Sequence, residues 1–517
     1  MTRELSAAAC VIGAGPAGSI LAEALRRAGV DVLLVERGPR YDLASRRSTL
    51  QHRLWLDGPA ELNDEIPTHR RPRVETGPSD PLPYATRLQV GVGGGSLVWA
   101  AQCPRPRPED LAPDDGWPLA YAELEPHLLA AERALGVAGD NRHPYVEPRS
   151  GPYPMSAHAM TVADRDLFAP AARRLGWTWH AAPVAIASRD YEGRVACRRC
   201  MQCDACPSGA RYSADLVHVP RFEAAGGRVV ARCSVRRLEV DPTGRRVVAA
   251  HAVAEDGEVV LRAERFIVAT GGIESQRLLL LSKDDRHHPD GLGNAGGALG
   301  RGMTDHYFAP ATIVASRRAL PERGFPAGAC HHHRVNGEHK FHFIGQPGAW
   351  WLDPIHEELL ASGAFDPDEA AARTSRTLGL AYTIEARSRG TLTLSPTERD
   401  ANGDPLARVS IPVTGADREA HRAVSESFLR FADAMSARQA YVGLSGHHFW
   451  WAAHTMGGAR MAASPRHGAC DINLKIFELD NAYVLSGAVL PGRGTANPTL
   501  AIAALALRLA AHLVGGS

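Results

Sequence analysis

The N-terminal segment combines short apolar runs with a glycine-rich turn. An apolar run at 8–12 is followed by Gly13–Gly18, whose sequence is GAGPAG, and apolar residues then recur at helical spacing between 20 and 25. A second apolar run at 30–35 ends in Glu36. This pattern predicts a strand, a tight turn, a helix and a second strand with an acidic residue at its end.

That order of elements is typical of a dinucleotide-binding unit. Gly13 permits the tight turn, Gly15 lets the backbone approach a pyrophosphate, and Gly18 lets the helix pack closely on the strand. The free N–H groups at the start of the helix favour the diphosphate charge. Glu36 can accept hydrogen bonds from both ribose hydroxyls, and its charge would repel the 2′-phosphate of NADP. FAD and NAD both use such a turn, so this segment alone leaves the choice between them open.

Later segments have the form of further cofactor contacts. Gly91–Ser96, with the sequence GVGGGS, is followed by Leu-Val-Trp; it suits close backbone approach to a ligand, with a flexible surface loop as the alternative. An apolar strand at 266–269 closes on Thr270–Gly272. Near the C-terminus, His454–Met461 has the sequence HTMGGARM and Asn497–Ala506 has the sequence NPTLAIAALA.

Taken in order along the chain, these segments resemble the glucose–methanol–choline (GMC) oxidoreductases, a family of FAD enzymes. The segment from Gly300-Arg301 to Asp305-His306 belongs to the same resemblance. It implies an α/β fold in which a Rossmann-like FAD-binding domain carries an inserted substrate domain, or cap, built on an antiparallel sheet. The expected parts are FAD-binding segments at 1–150, 216–310 and 450–517, a cap segment with a cysteine loop at 151–215, and the substrate domain proper at 311–449.

The resemblance also implies how FAD is held. Some members of the family attach FAD covalently through a His just before the aromatic residue of the glycine loop, where this chain has Val98. Because valine has no nucleophile, we expect dissociable, non-covalent FAD. The residues that we expect to contact the cofactor are Gly13, Gly15, Ala17, Gly18, Glu36, Arg37, Gly93, Gly94, Gly95, Ser96, Val98, Val235, Thr270, Gly271, Gly487, Ala488, Pro498 and Thr499.

Oxidation of an alcohol requires a base for the hydroxyl proton and an acceptor for the hydride. Imidazole is the side chain whose pKa lies nearest to working pH. In the family the base belongs to the HTMGGARM segment, which implies His454 here, with His447 and His448 as rivals. The second catalytic residue is implied to be Asn497, whose amide can orient the substrate oxygen. Asn497 followed by Pro498 also predicts an N-cap and the first residue of the last helix.

Four cysteines fall close together, at Cys197, Cys200, Cys203 and Cys206, with Pro after the last. This spacing is similar to that of ferredoxin loops, although the last interval is two residues rather than three. Tetrahedral zinc is chemically compatible with the same ligands. The sequence leaves three outcomes open: an iron–sulfur cluster, a zinc ion, or thiols (reduced or in a local disulfide) that bind no metal.

Residues 311–449 match the family least and are expected to decide the substrate. They contain Trp350 and Trp351, which either line a sugar-binding wall or belong to the core, and His331–His333, which cannot all share one face of a strand. Aromatic residues make up 6% of the chain, which gives little support for a large sterol pocket. We therefore favour a sugar-like hydroxyl, including one on an amino sugar.

Composition limits the partners and the location. The 517 residues are 44% hydrophobic and 22% charged, as in ordinary soluble proteins. Because 58 Lys and Arg against 57 Asp and Glu leave a net charge of +1, nucleic acid is not an expected partner. No run reaches the roughly 18 apolar residues of a membrane span. The N-terminus lacks the pattern of a signal peptide, which predicts a cytoplasmic protein. Nine cysteines, an odd number, do not favour a disulfide scaffold.

We therefore expect an FAD-dependent oxidoreductase that converts an alcohol to an aldehyde or ketone by hydride transfer to flavin N5. Its partners would be a small-molecule alcohol and oxygen or another electron acceptor. Two alternatives stay open: a lyase of the same fold that keeps flavin without net redox change, and an electron carrier that uses flavin and a cluster. The sequence decides neither between oxidase and dehydrogenase nor the oligomeric state.

Overall fold

The two strands predicted on either side of the first glycine turn lie side by side and parallel in the computed structural model of the protein. They are β1 (Arg3–Ile12) and β2 (Val32–Val35), and their paired residues are fully buried, as in a parallel sheet that helices cover. The helix between them, α1 (Pro16–Arg27), has Pro16 in its first turn and two arginines in its last, both of which favour a helix at those positions.

Two seven-stranded sheets, one four-stranded sheet and their helices make up most of the described chain. The structure describes residues 2–41, 89–111, 117–200, 203, 206–316, 329–335, 339–346, 366–385, 387, 389–442, 450–451 and 453–515. The further strands are β3 (Ala138–Gly139), β4 (Met155–Ser156), β5 (His180–Ala181), β6 (Arg228–Val230), β7 (Cys233–Val240), β8 (Val247–Ala254), β9 (Gly257–Val268), β10 (Arg301–Thr304), β11 (Tyr307–Val314), β12 (Ala329–Val335), β13 (His339–Gln346), β14 (Thr377–Ile384), β15 (Gly390–Arg399), β16 (Pro405–Ser410), β17 (Gln439–Val442), β18 (Trp450–Trp451), β19 (Met456–Gly458) and β20 (Ala482–Val484). The further helices are α2 (Tyr121–Leu135), α3 (Ala169–Arg174), α4 (His218–Ala224), α5 (Gly271–Leu281), α6 (Pro367–Thr374), α7 (Gly415–Ala434) and α8 (Thr499–Gly515).

The first sheet joins three distant parts of the chain. Its order is β6-β2-β1-β9-β8-β7, and β20 also pairs with β9. The pairs among β6, β2, β1, β9 and β20 are parallel, whereas β7, β8 and β9 form an antiparallel meander. The apolar helix α8 packs against α1 and α2 and buries Leu500, Leu505 and Leu509. The predicted Rossmann-like fold is confirmed, and its sheet takes strands from the N-terminal, middle and C-terminal parts of the chain.

The second sheet forms the cap. Its order is β17-β11-β14-β13-β12-β5, with β18 beside β11, and its neighbouring strands are antiparallel, as predicted. β14 lies between β11 and β13 and is buried along its whole length. The amphipathic helix α7 contacts this sheet, and its Phe428 and Phe431 belong to the same apolar cluster as Trp177 and Trp179. His331–His333 are consecutive residues of β12.

A smaller antiparallel sheet, with the order β16-β15-β10-β19, connects the two larger ones. In it Thr304 at the end of β10 is opposite Met456 at the start of β19. The two residues after Thr304 therefore lie beside the two residues before Met456. The chain passes from this sheet directly into the cap through Asp305 and His306, because β11 begins at Tyr307.

Some sequence predictions fall outside the described residues, namely those for His447, His448, Trp350 and Trp351. Among the described residues, the helices are all too short or too polar to cross a membrane.

Candidate active site

The first glycine turn touches the middle segment of the chain. Gly13 has a φ of +107°, and a Cβ there would lie 2.4 Å from the carbonyl oxygen of Ala269. Thr270 and Gly271 follow at once, where β9 leads into α5. A Cβ on Gly18 would lie 2.0 Å from the carbonyl oxygen of Gly13, so α1 packs on the turn only because Gly18 has no side chain.

The second glycine loop faces the first across a narrow gap. The N–H of Gly93 donates to the carbonyl of Ala14 at 2.9 Å, and a Cβ on Gly94 would lie 3.0 Å from the Cα of Gly15. A Cβ on Gly95 would meet nothing within 4 Å, so the loop opens outward at that point. The two loops thus form a cradle with exposed backbone, the surface that a diphosphate requires.

Ser96 and Val98 complete the second loop. The hydroxyl of Ser96 donates to the carbonyl of Gly93 at 2.6 Å and accepts from the N–H of Ala214 at 2.9 Å, so it holds the loop in shape. Val98 stands at the end of the short 3-10 helix Gly94–Leu97 and is half-buried.

Glu36 lies at the end of β2, where the fingerprint places it. Its carboxylate accepts the N–H groups of Ala14 at 3.0 Å and Gly38 at 2.9 Å. Burial raises the pKa of Glu36 above its usual value, and those two N–H groups oppose the shift. Arg37 forms an ion pair with Glu274 of α5 at 3.1 Å. Val235 is in β7, whose first residue donates its N–H to the carbonyl of Glu36.

The remaining predicted cofactor residues belong to α1 and the C-terminal segment. Ala17 is buried in the first turn of α1. Gly487 and Ala488 form a short 3-10 turn; a Cβ on Gly487 would lie 2.3 Å from the carbonyl of Thr455, next to His454. Pro498 and Thr499 stand at the start of α8. The glycine cradle, the helix start and Glu36 together fit FAD.

The two predicted catalytic residues meet. Asn497 Nδ2 lies 2.9 Å from His454 Nε2, although the residues are far apart in sequence. On the other side of the ring, His454 Nδ1 lies 3.0 Å from His306 Nδ1, and the two rings are edge to face. Asp305, which is fully buried, accepts the backbone N–H groups of both histidines, at 2.7 Å for His306 and 2.8 Å for His454.

The environment of His454 keeps its imidazole neutral. Burial lowers its pKa well below the usual value, and the neighbouring His306 lowers it further. A neutral imidazole next to an amide can accept a proton from a hydroxyl group.

Comparison with known proteins identifies the family of this chain. The GMC oxidoreductase family profile of the N-terminal part matches residues 84–308, that of the C-terminal part matches 386–506, and an FAD-binding domain profile matches 6–54. The chain belongs to the GMC oxidoreductases. As a GMC enzyme, it is an FAD-dependent alcohol oxidoreductase.

Two relatives and one solved structure align with almost the whole length of this GMC enzyme. The fructose dehydrogenase large subunit of Gluconobacter japonicus is 28% identical, over 98% of this chain and 97% of its own length. The 6'''-hydroxyparomomycin C oxidase of Streptomyces lividus is 28% identical, over 98% of this chain and 91% of its own. Among solved structures, pyridoxine 4-oxidase from Mesorbium loti has a TM-score of 0.71 at 20% identity, covering 98% of this chain and 99% of that one. This last likeness supports the fold.

The predicted N-cap residue of the last helix, Asn497, is wrong by one position. α8 begins at Thr499, and its first hydrogen bond runs from the N–H of Ile502 to the carbonyl of Pro498. Pro498 thus takes the capping position, and Asn497 precedes it. The physical reason is that the Asn497 side chain is directed towards His454 and leaves the helix terminus without its amide.

Asp305 and His306 received no role from the sequence, although the segment that contains them belongs to the resemblance. A signal was present: a polar Asp-His pair directly follows the short strand β10. The sequence does not show that β10 pairs with β19. This strand pairing brings Asp305 and His306 to His454.

The cysteine loop lies behind the glycine loop. The backbone N–H of Arg211 donates to Cys206 Sγ at 3.2 Å, and the Arg211 side chain donates to the carbonyls of Leu97, at 2.7 Å, and Trp99. The N–H of Arg199 points to Cys197 Sγ at 3.4 Å. Burial raises the pKa of Cys203 above its usual value. Within the described ranges, which omit 201–202 and 204–205, no three His, Cys, Asp or Glu side chains are grouped to hold a metal ion. The described part of the loop thus does not form a metal site, and metal binding stays a prediction.

Proposed function

We propose that the protein oxidises a hydroxyl group of a sugar-like or amino-sugar substrate to an aldehyde or ketone, with His454 as the base. The observation that carries this proposal is the contact of His454 Nε2 with Asn497 Nδ2 at 2.9 Å, in a half-buried corner beside the glycine cradle. A substrate hydroxyl can insert there, donate its proton to Nε2 and accept a hydrogen bond from Nδ2.

Each residue of this corner has a separate task. FAD, when bound, supplies the acceptor for the hydride. His454 removes the hydroxyl proton, and its lowered pKa means that it is ready to do so at neutral pH. Asn497 fixes the direction of the hydroxyl, which reduces the entropy lost on reaching the reactive geometry.

We further propose that FAD is bound without a covalent link. The support is chemical: the position that carries the attachment in some GMC members is Val98, whose side chain has no nucleophile. Unfolding the holoenzyme in guanidinium followed by ultrafiltration should release all of the flavin. Flavin that stays with the polypeptide would contradict this part of the proposal.

A carboxylate near the site favours an amino-sugar substrate over a neutral sugar. Glu385 directly follows β14. Because Ile384 pairs with Tyr307 and the two strands are antiparallel, Glu385 lies on the side of His306. Its Oε1 accepts the N–H of Gly494 at 2.6 Å, in the loop that leads to Asn497. Within the described part of the chain no cation pairs with this carboxylate. The Streptomyces lividus relative is named as an oxidase of a hydroxyparomomycin, whereas the Gluconobacter relative is named for fructose.

The Glu385→Gln variant tests this preference. Loss of one charge-assisted hydrogen bond should raise KM for an amino-sugar alcohol about tenfold. The KM for the matched neutral sugar, which lacks the ammonium group, should not change. An equal change in both values would show that Glu385 does not select for a positive charge.

The experiment that tests the function is a panel of sugars, amino sugars and simple alcohols on the purified holoenzyme, first without oxygen. An active alcohol should bleach the flavin and appear as the aldehyde or ketone. Product formed while the flavin stays yellow would favour a lyase without net redox change. Repeating the assay with oxygen and with a dye acceptor separates oxidase from dehydrogenase.

The same sample answers the question of the cysteine loop. An iron and zinc assay, with the absorption spectrum of the oxidised protein, should give about one metal centre per chain if Cys197, Cys200, Cys203 and Cys206 hold one. Metal without any bleaching by alcohols would favour the electron carrier over the enzyme.

A further inference from the structure

His306 forms a direct hydrogen bond with the ring of the proposed base. Its Nδ1 lies 3.0 Å from His454 Nδ1, and the ring centroids are 5.1 Å apart at an interplanar angle of 82°. With the two rings nearly perpendicular and the ring nitrogens at hydrogen-bond distance, one nitrogen must donate and the other accept.

The neighbouring amide decides which nitrogen donates. Asn497 Nδ2 can only donate, so His454 Nε2, at 2.9 Å, must be the unprotonated nitrogen. A neutral imidazole carries a single N–H, which then sits on His454 Nδ1 and points at His306 Nδ1. His306 is therefore the acceptor, and its own proton is on Nε2.

Asp305 fixes the two rings relative to each other. A single carboxylate oxygen, Oδ1, accepts the backbone N–H groups of both His306 and His454. The residue is fully buried, and a charged acceptor forms stronger hydrogen bonds than a neutral one. The distance between the imidazoles is thus set by the backbone as well as by their side chains.

We propose that His306 is a positioning residue that holds His454 in the tautomer with an unprotonated Nε2 and then takes over its Nδ1 proton. The inference rests on the role proposed for His454. As the substrate O–H bond breaks, its proton forms a bond with His454 Nε2, and the proton on His454 Nδ1 moves to His306 Nδ1. The carbon-bound hydrogen leaves as hydride, with both electrons of its bond, to FAD.

This transfer places the positive charge on His306 instead of His454. The charge then lies beside the carboxylate of Asp305 and one ring further from the carbon that loses hydride. A cation close to that carbon would oppose the loss of hydride, because positive charge develops there in the transition state.

The test is nitrogen NMR of the holoenzyme labelled with [15N]histidine, together with steady-state kinetics. The His454→Gln variant identifies the His454 signals by their loss. The wild-type spectrum should place the proton of His454 on Nδ1. A proton on Nε2 in the wild type would overturn the proposal without any measurement of activity.

Two substitutions distinguish the two roles proposed for His306, which are to hold the tautomer of His454 and to accept its proton. His306→Asn keeps an oxygen acceptor for the Nδ1 proton but cannot take that proton, so the tautomer should remain and kcat should fall about tenfold. His306→Leu removes both properties; the tautomer should become mixed and kcat should fall on the order of 100-fold. KM should stay within about threefold in both, because neither variant removes a group that touches the substrate.

His421→Leu is the matched control. His421 is a half-buried histidine of α7 that contacts the hydroxyl of Tyr382 at 3.2 Å, within the cap. The His421→Leu substitution should leave the tautomer of His454 and kcat unchanged. A flavin-loaded His306→Leu variant with kcat within twofold of wild type, or a His306→Asn variant whose tautomer is lost, would overturn the proposal. Failure of the proposed function would give a different result from failure of this inference. If His454 is not the base, the flavin of His454→Gln would still be reduced by the alcohol at the wild-type rate.

Discussion

The glycine cradle and the histidine corner, formed by His306, His454 and Asn497, lie next to each other. They are built from different groups of the polypeptide. In the cradle we expect the backbone to do the binding, and Gly13, Gly18 and Gly94 matter because they have no side chain. In the corner the side chains of His454, Asn497 and His306 form a chain of hydrogen bonds. Because the two regions use different groups, cofactor binding and chemistry should be separable by mutation.

The largest expected effect lies in the cradle. In Gly13→Ala the new Cβ would lie 2.4 Å from the Ala269 carbonyl, at a φ of +107° that disfavours a side chain. Strain of about 3 kcal/mol corresponds to a weakening of FAD binding of more than 100-fold, so the purified variant should contain no flavin. Gly415→Ala is the control, because a Cβ there meets nothing within 4 Å. A Gly13→Ala protein that keeps its flavin would show that the close approach of the turn to Ala269 is not needed for FAD binding.

The next effect lies in the corner. Asn497→Ala removes the amide at 2.9 Å from His454 Nε2. Because the amide orients the hydroxyl, kcat should fall by about one to two powers of ten, whereas flavin content should stay the same. Asn402→Ala, which removes an amide at the turn between β15 and β16, should change neither value. Loss of flavin in Asn497→Ala would mean that the two regions are not separable.

The smallest effect is in the pH dependence. His454 must be neutral to accept a proton, and a lowered pKa keeps it neutral at pH values where an ordinary imidazole is already protonated. The acid limb of kcat/KM should therefore lie below pH 6.5, roughly the value of a free histidine. Flavin content should be followed in parallel, because the raised pKa of Glu36 makes the cradle sensitive to acid as well. An acid limb above about 6.5 with full flavin content would contradict the lowered pKa of His454.

The cradle could be predicted from the sequence in more detail than the corner. The spacing of Gly13, Gly15, Gly18 and Glu36 defines a local unit, since one strand, one turn and one helix bring all four together. The fold followed from the same local units and from the order of the resembling segments. His454 and Asn497 were predicted as a pair, but only through that resemblance.

His306 and the true start of α8 could not be predicted because they depend on tertiary contacts. The pairing of β10 with β19 brings His306 to His454, and no local pattern encodes it. The contact with His454 draws the Asn497 side chain away from the helix terminus, against its local preference for capping. Local propensity was overruled at a residue whose side chain makes a tertiary contact.

The measurement that tests the central claim most directly is single-turnover flavin reduction in rapid mixing without oxygen, with wild type and His454→Gln matched in flavin content. If His454 is the base, an active alcohol should bleach the wild-type flavin quickly and the variant on the order of 1,000-fold more slowly. Equal rates of bleaching in the two proteins would contradict the account, because the proton would then be leaving by another route.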